Sequence, residues 1–384
     1  MRICHCISDS NVGGAGVLLE TLLRHTAFSD SYVLLPKGSL LEQRLATTGA
    51  HVLLLPVTGD RSFSPHDIPR YMRVFEKIRP DIVHTHANFT ARAAARLTRI
   101  APIVTTRHCA YTERPYYHGA QHMASALLSK RFSDYYIATA EAAERDLIRM
   151  GIPRDRICVI PNGSEKKRRL PPKEKEILAR KYGYTPDSFV VGMVARLVKD
   201  KGVDVLLQAA KMLSCEKDAD YRFLIVGSGE EETALRRMAE EYGIADLVTF
   251  TGFVPDPAPL YSLFSVIVNA SRGTETSCLA LSEAMSLGIP AVASHYGGNP
   301  FMVKNGENGL LFATDAAADL AVKLRRLYID RTLYTRLSHG AERRYNTYFT
   351  ADSMAAAYDN VYRMLNRRRH HEEKNAASYG AAPK

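Results

Sequence analysis

The stretch "SVIVNASRGTETSCLALSEAMSLGIPAVAS", residues 265–294, sets an apolar strand, a polar loop, a short helix and a second apolar strand in succession. Ser277 is placed to cap a helix starting at Cys278; Gly288 suits its end, and Pro290 cannot continue it. Leu281, Ala284 and Met285 form its apolar face. A strand, a helix and a second strand in that order make the unit of a parallel sheet covered on both faces. The same stretch carries two carboxylates: Glu275 before the helix and Glu283 on it. At helical rise the pair spans on the order of 10 Å, flanking a helix start whose free N–H groups favour an anion.

The pattern repeats on both sides. Before residue 165 the strands are "RICHCIS" (2–8), "SYVLLP" (31–36), "HVLLLPV" (51–57), "DIVHTH" (81–86), "PIVTTRH" (102–108), "DYYIATA" (134–140) and "ICVIPNG" (157–163), with helical spacing between them. "SEKKRRLPPKEKE" interrupts the alternation and reads as a linker, assigned to residues 166–188. Strands resume with "FVVGMVARL" (189–197), "YRFLIVGSG" (221–229), "VTFTGFV" (248–254), "SVIVNAS", "PAVAS" and "GLLFA" (309–313). The expected architecture is α/β, with two Rossmann-like doubly wound domains over 1–165 and 189–348. An amphipathic helix follows over 349–369, then a disordered basic and polar tail over 370–384. A chain of 384 residues accommodates two such cores.

Composition narrows the class. Hydrophobic residues make up 46% and charged residues 24%, an ordinary globular balance, with no apolar run long enough to span a bilayer. The opening "MRICHCISDS" lacks the features of a signal peptide, so the chain is expected to start here and stay in the cytoplasm. None of the six cysteines forms a CxxC. Cys4-His5-Cys6 places two thiols on one strand face without a second half for zinc, so buried reduced thiols are expected and no metal is assigned. The net charge of +10 sits largely in "EKKRRLPPKEK", "KLRRL" and "NRRRHH". These runs read either as solvated surface or as a peripheral contact with an anionic membrane at the inner face of the cell. No nucleic-acid-binding pattern accompanies them.

Ligands of open parallel sheets bind beyond the carboxyl ends of strands. Three segments there attract attention. "NVGGAG" (11–16), with Gly14, opens a helix and serves equally as a structural turn or a substrate loop. "VARLVKDKG" places Arg196 and Lys201 between a strand end and a helix, a fork and a point charge for phosphate. "VGSG" adds Gly227. "RHCAYTERPYYHGAQHM" (107–123) offers aromatic and basic side chains for an acceptor wall, or is an ordinary loop.

Residues 189–312 resemble the donor domain of GT-B fold glycosyltransferases of family 4, a large retaining family. The matching pieces are "VARLVKDKGVDVLLQA", "FLIVGSGEEETAL", "VTFTGFV", the E-x7-E of "ETSCLALSE", "AMSLGIPAVASHYGG" and "NGLLF". "VIPNG" at 159–163 matches as well, and "GGAG" and "DIVHTH" more loosely, so the likeness runs to about residue 365.

The resemblance implies two domains facing across a cleft, with the last helix crossing back to the first. It implies transfer of a sugar from a nucleoside diphosphate sugar to a saccharide, lipid-linked or small-molecule acceptor, with retention of configuration. No cofactor is implied; UDP is the expected nucleotide, with GDP and ADP as alternatives. Arg196 and Lys201 would neutralise the diphosphate, Glu283 hold the ribose, Glu275 the sugar hydroxyls, and Phe253 and Val254 meet the base. His108 would stand near the reacting sugar, with Gly14 approaching donor phosphate or sugar. Thr276, Ser277, Cys278 and Leu279 would line the donor site. Thr276, Ser277 and Cys278 replace the family's glycine-rich sequence there, which puts the sugar in question. A nucleotide-sugar epimerase and a non-catalytic donor-binding protein are the competing readings.

Overall fold

Apolar residues run continuously through most of the strands, and neighbouring residues face opposite cores. Val190 packs in one core while Val191 and Met193 pack in another; Leu224 and Val226 alternate with Phe223 and Ile225 in the same way. Strands buried on both faces need helices on both sides, which a β–α–β chain path supplies. The computed structural model describes residues 1–109, 127–216 and 219–379, with side chains through residue 371. The chain divides into two compact units, Met1–Gly163 with Ala351–Lys384, and Ser164–Thr350.

The first unit holds β1 (Ile3–Ile7), β2 (Ser31–Pro36), β3 (His51–Leu55), β4 (Ile82–His86), β5 (Ile103–Arg107), β6 (Tyr135–Ala138) and β7 (Ile157–Val159). The sheet order is β3-β2-β1-β4-β5-β6-β7, all parallel. The second unit holds β8 (Phe189–Val194), β9 (Tyr221–Val226), β10 (Val248–Phe250), β11 (Val266–Asn269), β12 (Ala291–Ser294) and β13 (Gly309–Phe312), in the order β10-β9-β8-β11-β12-β13, also parallel. Each order reverses once, between β1 and β4 and between β8 and β11. A reversal parts the loops on either side and opens a crevice at the carboxyl ends of the two strands.

Two expected boundaries change. Residues 166–188 are no free linker: Pro172–Lys181 is helical, and the basic run before it is bound to the second unit. Leu170 N donates to Ser262 Oγ at 2.9 Å, Lys167 N to Ser286 Oγ at 3.1 Å, and the Arg169 guanidinium to the Leu287 carbonyl. The positive charges that suggested a solvated stretch meet a carboxylate and a helix C-terminal carbonyl instead. The last helix, Ala351–Tyr379, runs through most of the segment expected as tail. Its Met354, Ala355, Tyr358, Val361, Tyr362 and Leu365 pack against Ile3, Leu18 and Ile82. Asp359 accepts from Thr26 Oγ1 at 2.6 Å and from Ala27 N at 2.9 Å, holding this helix to the end of the first one, Gly14–His25.

Candidate functional site

In the second unit the candidate residues gather at the β8/β11 reversal. Arg196 and Lys201 follow β8, and Glu275 follows β11. The loop after β8 is held open by backbone pairing: Ala195 N donates to the Val226 carbonyl and Leu197 N to that of Ser228, at 3.0 and 2.9 Å. Gly227 permits this approach, with a φ of +135° and a position where a Cβ would lie 1.9 Å from the Ala195 carbonyl oxygen. It thereby shapes the strand-end turn.

Lys201 and Glu275 meet directly. Lys201 Nζ donates to Glu275 Oε2 at 2.8 Å, and Ser271 Oγ and Asn269 Nδ2 donate to the same oxygen at 2.8 and 3.3 Å. Glu275 is only 7% exposed. Burial pushes its carboxyl up, but the Lys201 ammonium and these hydrogen bonds outweigh it and hold the acid below its usual value. Burial likewise disfavours the Lys201 ammonium, and the Glu275 charge more than compensates, leaving it above the ordinary lysine value. The nearby Arg196 charge works in the opposite sense on Lys201. The Arg196 side chain is exposed and has no ion-pair partner among the described residues. Two cations thus accompany one buried carboxylate, a surplus of positive charge at strand ends.

The helix after the loop runs Leu279–Ser286, one residue later than expected, and Ser277 does not cap it. Cys278 takes the cap position, its N–H directed at Met302 Sδ at 3.1 Å, and its thiol is pushed up to about 11 by burial and then by Glu275. Thr276 and Ser277 are buried; Cys278 and Leu279 are half-buried. No acidic residue enters the helix's first turn, so the N–H groups that lack an intrahelical partner there keep their attraction for an anion. Close approach at this loop rests on Gly297 and Gly298, glycines of the opposite loop. A Cβ on Gly298 would lie 1.5 Å from the Thr276 carbonyl oxygen. Gly297 and Gly298 thus let the two loops pack backbone to backbone at residues 275 and 276.

Glu283 is engaged. Tyr261 Oη donates to its Oε2 at 2.6 Å, and Lys167 Nζ lies 2.9 Å from its Oε1. Neither partner was expected: Lys167 lay in the supposed linker, and Tyr261 carries no motif. Each carboxylate oxygen still has acceptor capacity beyond one hydrogen bond. Phe253 is 68% exposed beyond β10, and Val254 packs partly on the core beside Leu260 and Tyr261. Lys304 and Asn305 form a structural turn, with Asn305 Oδ1 accepting from Leu311 N.

In the first unit Gly14 is exposed at the helix start after β1, with nothing within 4 Å of where a Cβ would stand. His108 lies directly after β5. Its Nε2 is 3.0 Å from His86 Nδ1, and His86 Nε2 is 3.4 Å from His5 Nδ1. His84 bonds Tyr362 Oη and Thr106 Oγ1, each at 2.7 Å. Burial, and then the Arg107 charge, pushes His108 down to about 4; burial alone takes His5 to about 3, and His84 and His86 lie well below the usual value. The four rings are neutral at physiological pH. The strand period could have revealed this cluster, since His84 and His86 share a face and parallel register sets His5 beside His84. Cys4 and Cys6 face the other core. The stretch 110–123 lies outside the described residues.

Comparison with known proteins accords with this geometry. Residues 12–168 match the family model described as Glycosyltransferase Family 4, and residues 174–344 that described as Glycosyl transferases group 1. EpsD of Bacillus subtilis (strain 168), a glycosyltransferase by name, is 29% identical over 320 residues, taking in 77% of this chain and 81% of that protein. Alpha-monoglucosyldiacylglycerol synthase of Acholeplasma laidlawii is 26% identical over 267 residues, 64% of this chain and 66% of that one. The structure of Anabaena Alr3699/HepE in complex with UDP superposes with a TM-score of 0.83 at 21% identity, covering 95% of this chain and 100% of that chain. A sucrose-phosphate synthase from Thermosynechococcus elongatus superposes at 0.74, also at 21% identity, covering 95% and 99%. The chain is an enzyme of the glycosyltransferase class with the GT-B fold. It belongs to glycosyltransferase family 4.

Proposed function

We propose that this glycosyltransferase moves a sugar from a nucleoside diphosphate sugar to an acceptor hydroxyl with retention of configuration. The observation that carries the reading is the Lys201–Glu275 pair at the β8/β11 reversal, with Arg196 beside it and a helix start following. A diphosphate there would meet two cations and the positive end of the helix, which stabilise charge developing on the leaving group. Glu275, kept ionised, accepts hydrogen bonds from sugar hydroxyls; Glu283 takes the ribose hydroxyls alongside its two protein partners. His108 is assigned to the reacting sugar, Gly14 to donor phosphate or sugar, and Phe253 with Val254 to the base. Front-side attack, with the departing diphosphate drawing the acceptor proton, balances the transfer without a protein nucleophile.

UDP is the proposed nucleotide, supported by related structures solved with UDP and with UDP-glucose. A role in cell-surface polysaccharide or glycolipid synthesis is supported by the names of the relatives. A peripheral membrane contact has a specific basis in the first unit. Arg96, Arg99, Lys130, Arg131, Arg156 and Arg368 line one cavity, against Asp134 and Asp155. Leu97 and Leu127, on the two helical segments that bound it, are 59% and 69% exposed. Basic residues with unburied leucines suit an anionic bilayer surface. Among the described residues no helix is long and apolar enough to cross a membrane.

The test is a thermal-shift screen of UDP-, GDP- and ADP-sugars, followed by NMR of the anomeric proton in the product. Stabilisation by one UDP-sugar and a retained anomer are expected. No shift with any donor at millimolar concentration, or an inverted anomer, rejects the reading. An epimer formed without acceptor replaces it with isomerase chemistry.

A further inference from the structure

The carboxyl ends of β11 and β12 carry a buried polar network behind Glu275. Asn269 ends β11, Ser294 ends β12, and Asn299 opens the short helix Asn299–Met302 that follows. All three are buried, as is Ser271. Ser271 N and Asn299 Nδ2 donate to Asn269 Oδ1 at 3.0 and 3.3 Å, and Asn299 Nδ2 also reaches Ser294 Oγ at 3.0 Å. Ser294 Oγ gives its own proton to the Ser271 carbonyl at 2.6 Å.

These bonds run in one direction. The Ser271 backbone N–H can only donate, so it meets the amide oxygen of Asn269, and the amide nitrogen is the atom turned toward Glu275. Asn299 is fixed in turn. It faces the Asn269 oxygen and a hydroxyl whose proton is committed elsewhere, so it must offer its nitrogen. Asn299 Oδ1 is left buried without a hydrogen-bond partner. That orphan acceptor is destabilising, yet turning the amide over would set two oxygens against each other.

At Glu275 the result is unequal use of the two oxygens. Oε2 accepts from Lys201 Nζ, Ser271 Oγ and Asn269 Nδ2, three donors that saturate its roughly two lone-pair sites. Among the described residues no hydrogen bond reaches Oε1, which is not sealed from solvent.

We infer that Asn269, oriented by Asn299, is a positioning residue that turns Glu275 so that Oε2 belongs to the fold and Oε1 alone accepts from sugar hydroxyls of the donor. The division of the carboxylate stands on the network; its use on the sugar rests on the proposed reading of Glu275. The other titratable groups facing this carboxylate are Lys201 and Cys278, and both keep their protons between pH 6 and 8. Burial and then the Glu275 charge push the thiol up to about 11, and at the ammonium burial is more than offset by the Glu275 charge. Arg196, whose charge acts on Lys201, stays ionised throughout.

Three measurements on the full-length protein test this. With glutamate labelled by 13C at the carboxyl, the ligand-free Glu275 signal is identified by its loss in Glu275→Gln. Its titration midpoint is expected to rise in Asn269→Leu, which removes a donor to the charged form. An unmoved midpoint overturns the contact. Asn269→Asp keeps the shape of the side chain but donates only when protonated. Its donor kcat/KM is expected to fall on the order of a hundredfold at pH 8 through like-charge repulsion, then to climb roughly tenfold per pH unit down to pH 6. Wild type should show no such climb, and Asn269→Leu should stay about tenfold down at every pH. A profile in Asn269→Asp parallel to wild type reduces Asn269 to a packing residue and overturns the inference. The third arm needs no variant to fold. In crystals of wild type with the UDP-sugar that stabilises it most, a sugar hydroxyl is expected within hydrogen-bond distance of Oε1. A hydroxyl on Oε2 overturns the division. If no UDP-sugar binds, the donor reading falls, and the ligand-free titration still decides how the carboxylate is held.

Discussion

Lys201 Nζ and Glu275 Oε2 stand 2.8 Å apart across the β8/β11 reversal, and neither residue has much access to water. Each keeps the other charged where burial alone would neutralise both. Removing one partner leaves the other as an unpaired buried charge, which is costlier than never having made the pair.

Lys201→Ala is therefore expected to lower stability by about 3 kcal/mol, read as the urea midpoint, and to cut the transfer rate on the order of 10²–10³. Adding Glu275→Gln should return much of the stability and none of the rate. A double variant as unstable as the single one would show that the pair is not the source of the loss.

Arg196→Ala should behave differently. The side chain is exposed and has no ion-pair partner among the described residues, so truncation should cost the folded protein little. Rate should fall on the order of 10² while the unfolding midpoint stays within about 0.5 kcal/mol of wild type. Wild-type kcat/KM in this variant would remove Arg196 from the phosphate site.

Gly298→Ala tests the packing of the Gly297–Gly298 loop on residues 275–277. The added Cβ falls 1.5 Å from the Thr276 carbonyl oxygen, and backbone cannot yield as a flexible side chain would. The strip 275–277 must shift. A loss of about 1–3 kcal/mol is expected together with at least a tenfold fall in kcat/KM for the donor. Unchanged donor kinetics would separate this strip from the donor site.

Tyr261→Phe removes the hydrogen bond to Glu283 Oε2 and leaves Lys167 on the other oxygen. Stability should drop by about 1.5–3 kcal/mol, the worth of a hydrogen bond to a charged group. Glu283 becomes less fixed, and donor KM should rise severalfold with kcat nearly constant. A fall in kcat at constant KM would place Glu283 in the chemical step and not in ribose binding.

Acid should weaken the first unit well before ordinary carboxylates titrate. Unfolded histidines take up protons near 6.5, whereas burial keeps His5 neutral down to about 3 and His108, also opposed by the Arg107 charge, down to about 4. Between those values the unfolded chain binds more protons, so stability is full above 6.5 and is lost as pH falls, by at most about 1.4 kcal/mol per pH unit for each histidine. Glu275, held low, adds its own loss only once pH falls below its ordinary 4.5. Urea midpoints at pH 7, 6 and 5 measure the slope. His84→Gln should flatten it; an unchanged midpoint from pH 7 to 5 would contradict neutral buried rings.

The thirteen strands among the described residues were legible because apolar runs flanked by Gly, Pro and Asp repeat at β–α–β spacing, and the ligand-side loops followed from the topology. Partner choice was not legible. Lys167 belongs to a run whose composition suggests solvent, yet it ends on Glu283, a contact that exists only once two distant segments have packed. Ser277 looked like the helix cap because capping preference is local, whereas the Met302 sulfur that receives the Cys278 N–H comes from another helix. Helix persistence through Tyr379 was missed because the tail's composition is polar, which does not prevent a helix from continuing once its earlier turns are docked.

Ser164 and Thr350, the two ends of the second unit, are bridged as neighbours, with Ser164 N donating to the Phe349 carbonyl at 2.9 Å. That unit is thus an uninterrupted insert with its entrance and exit side by side, while its host is severed in sequence and needs residues after 350 to finish its interior. A gene fragment spanning 164–350 encodes a complete domain suitable for excision, grafting or circular permutation. One stopping at 163 encodes a host lacking the tyrosines that close over its histidines.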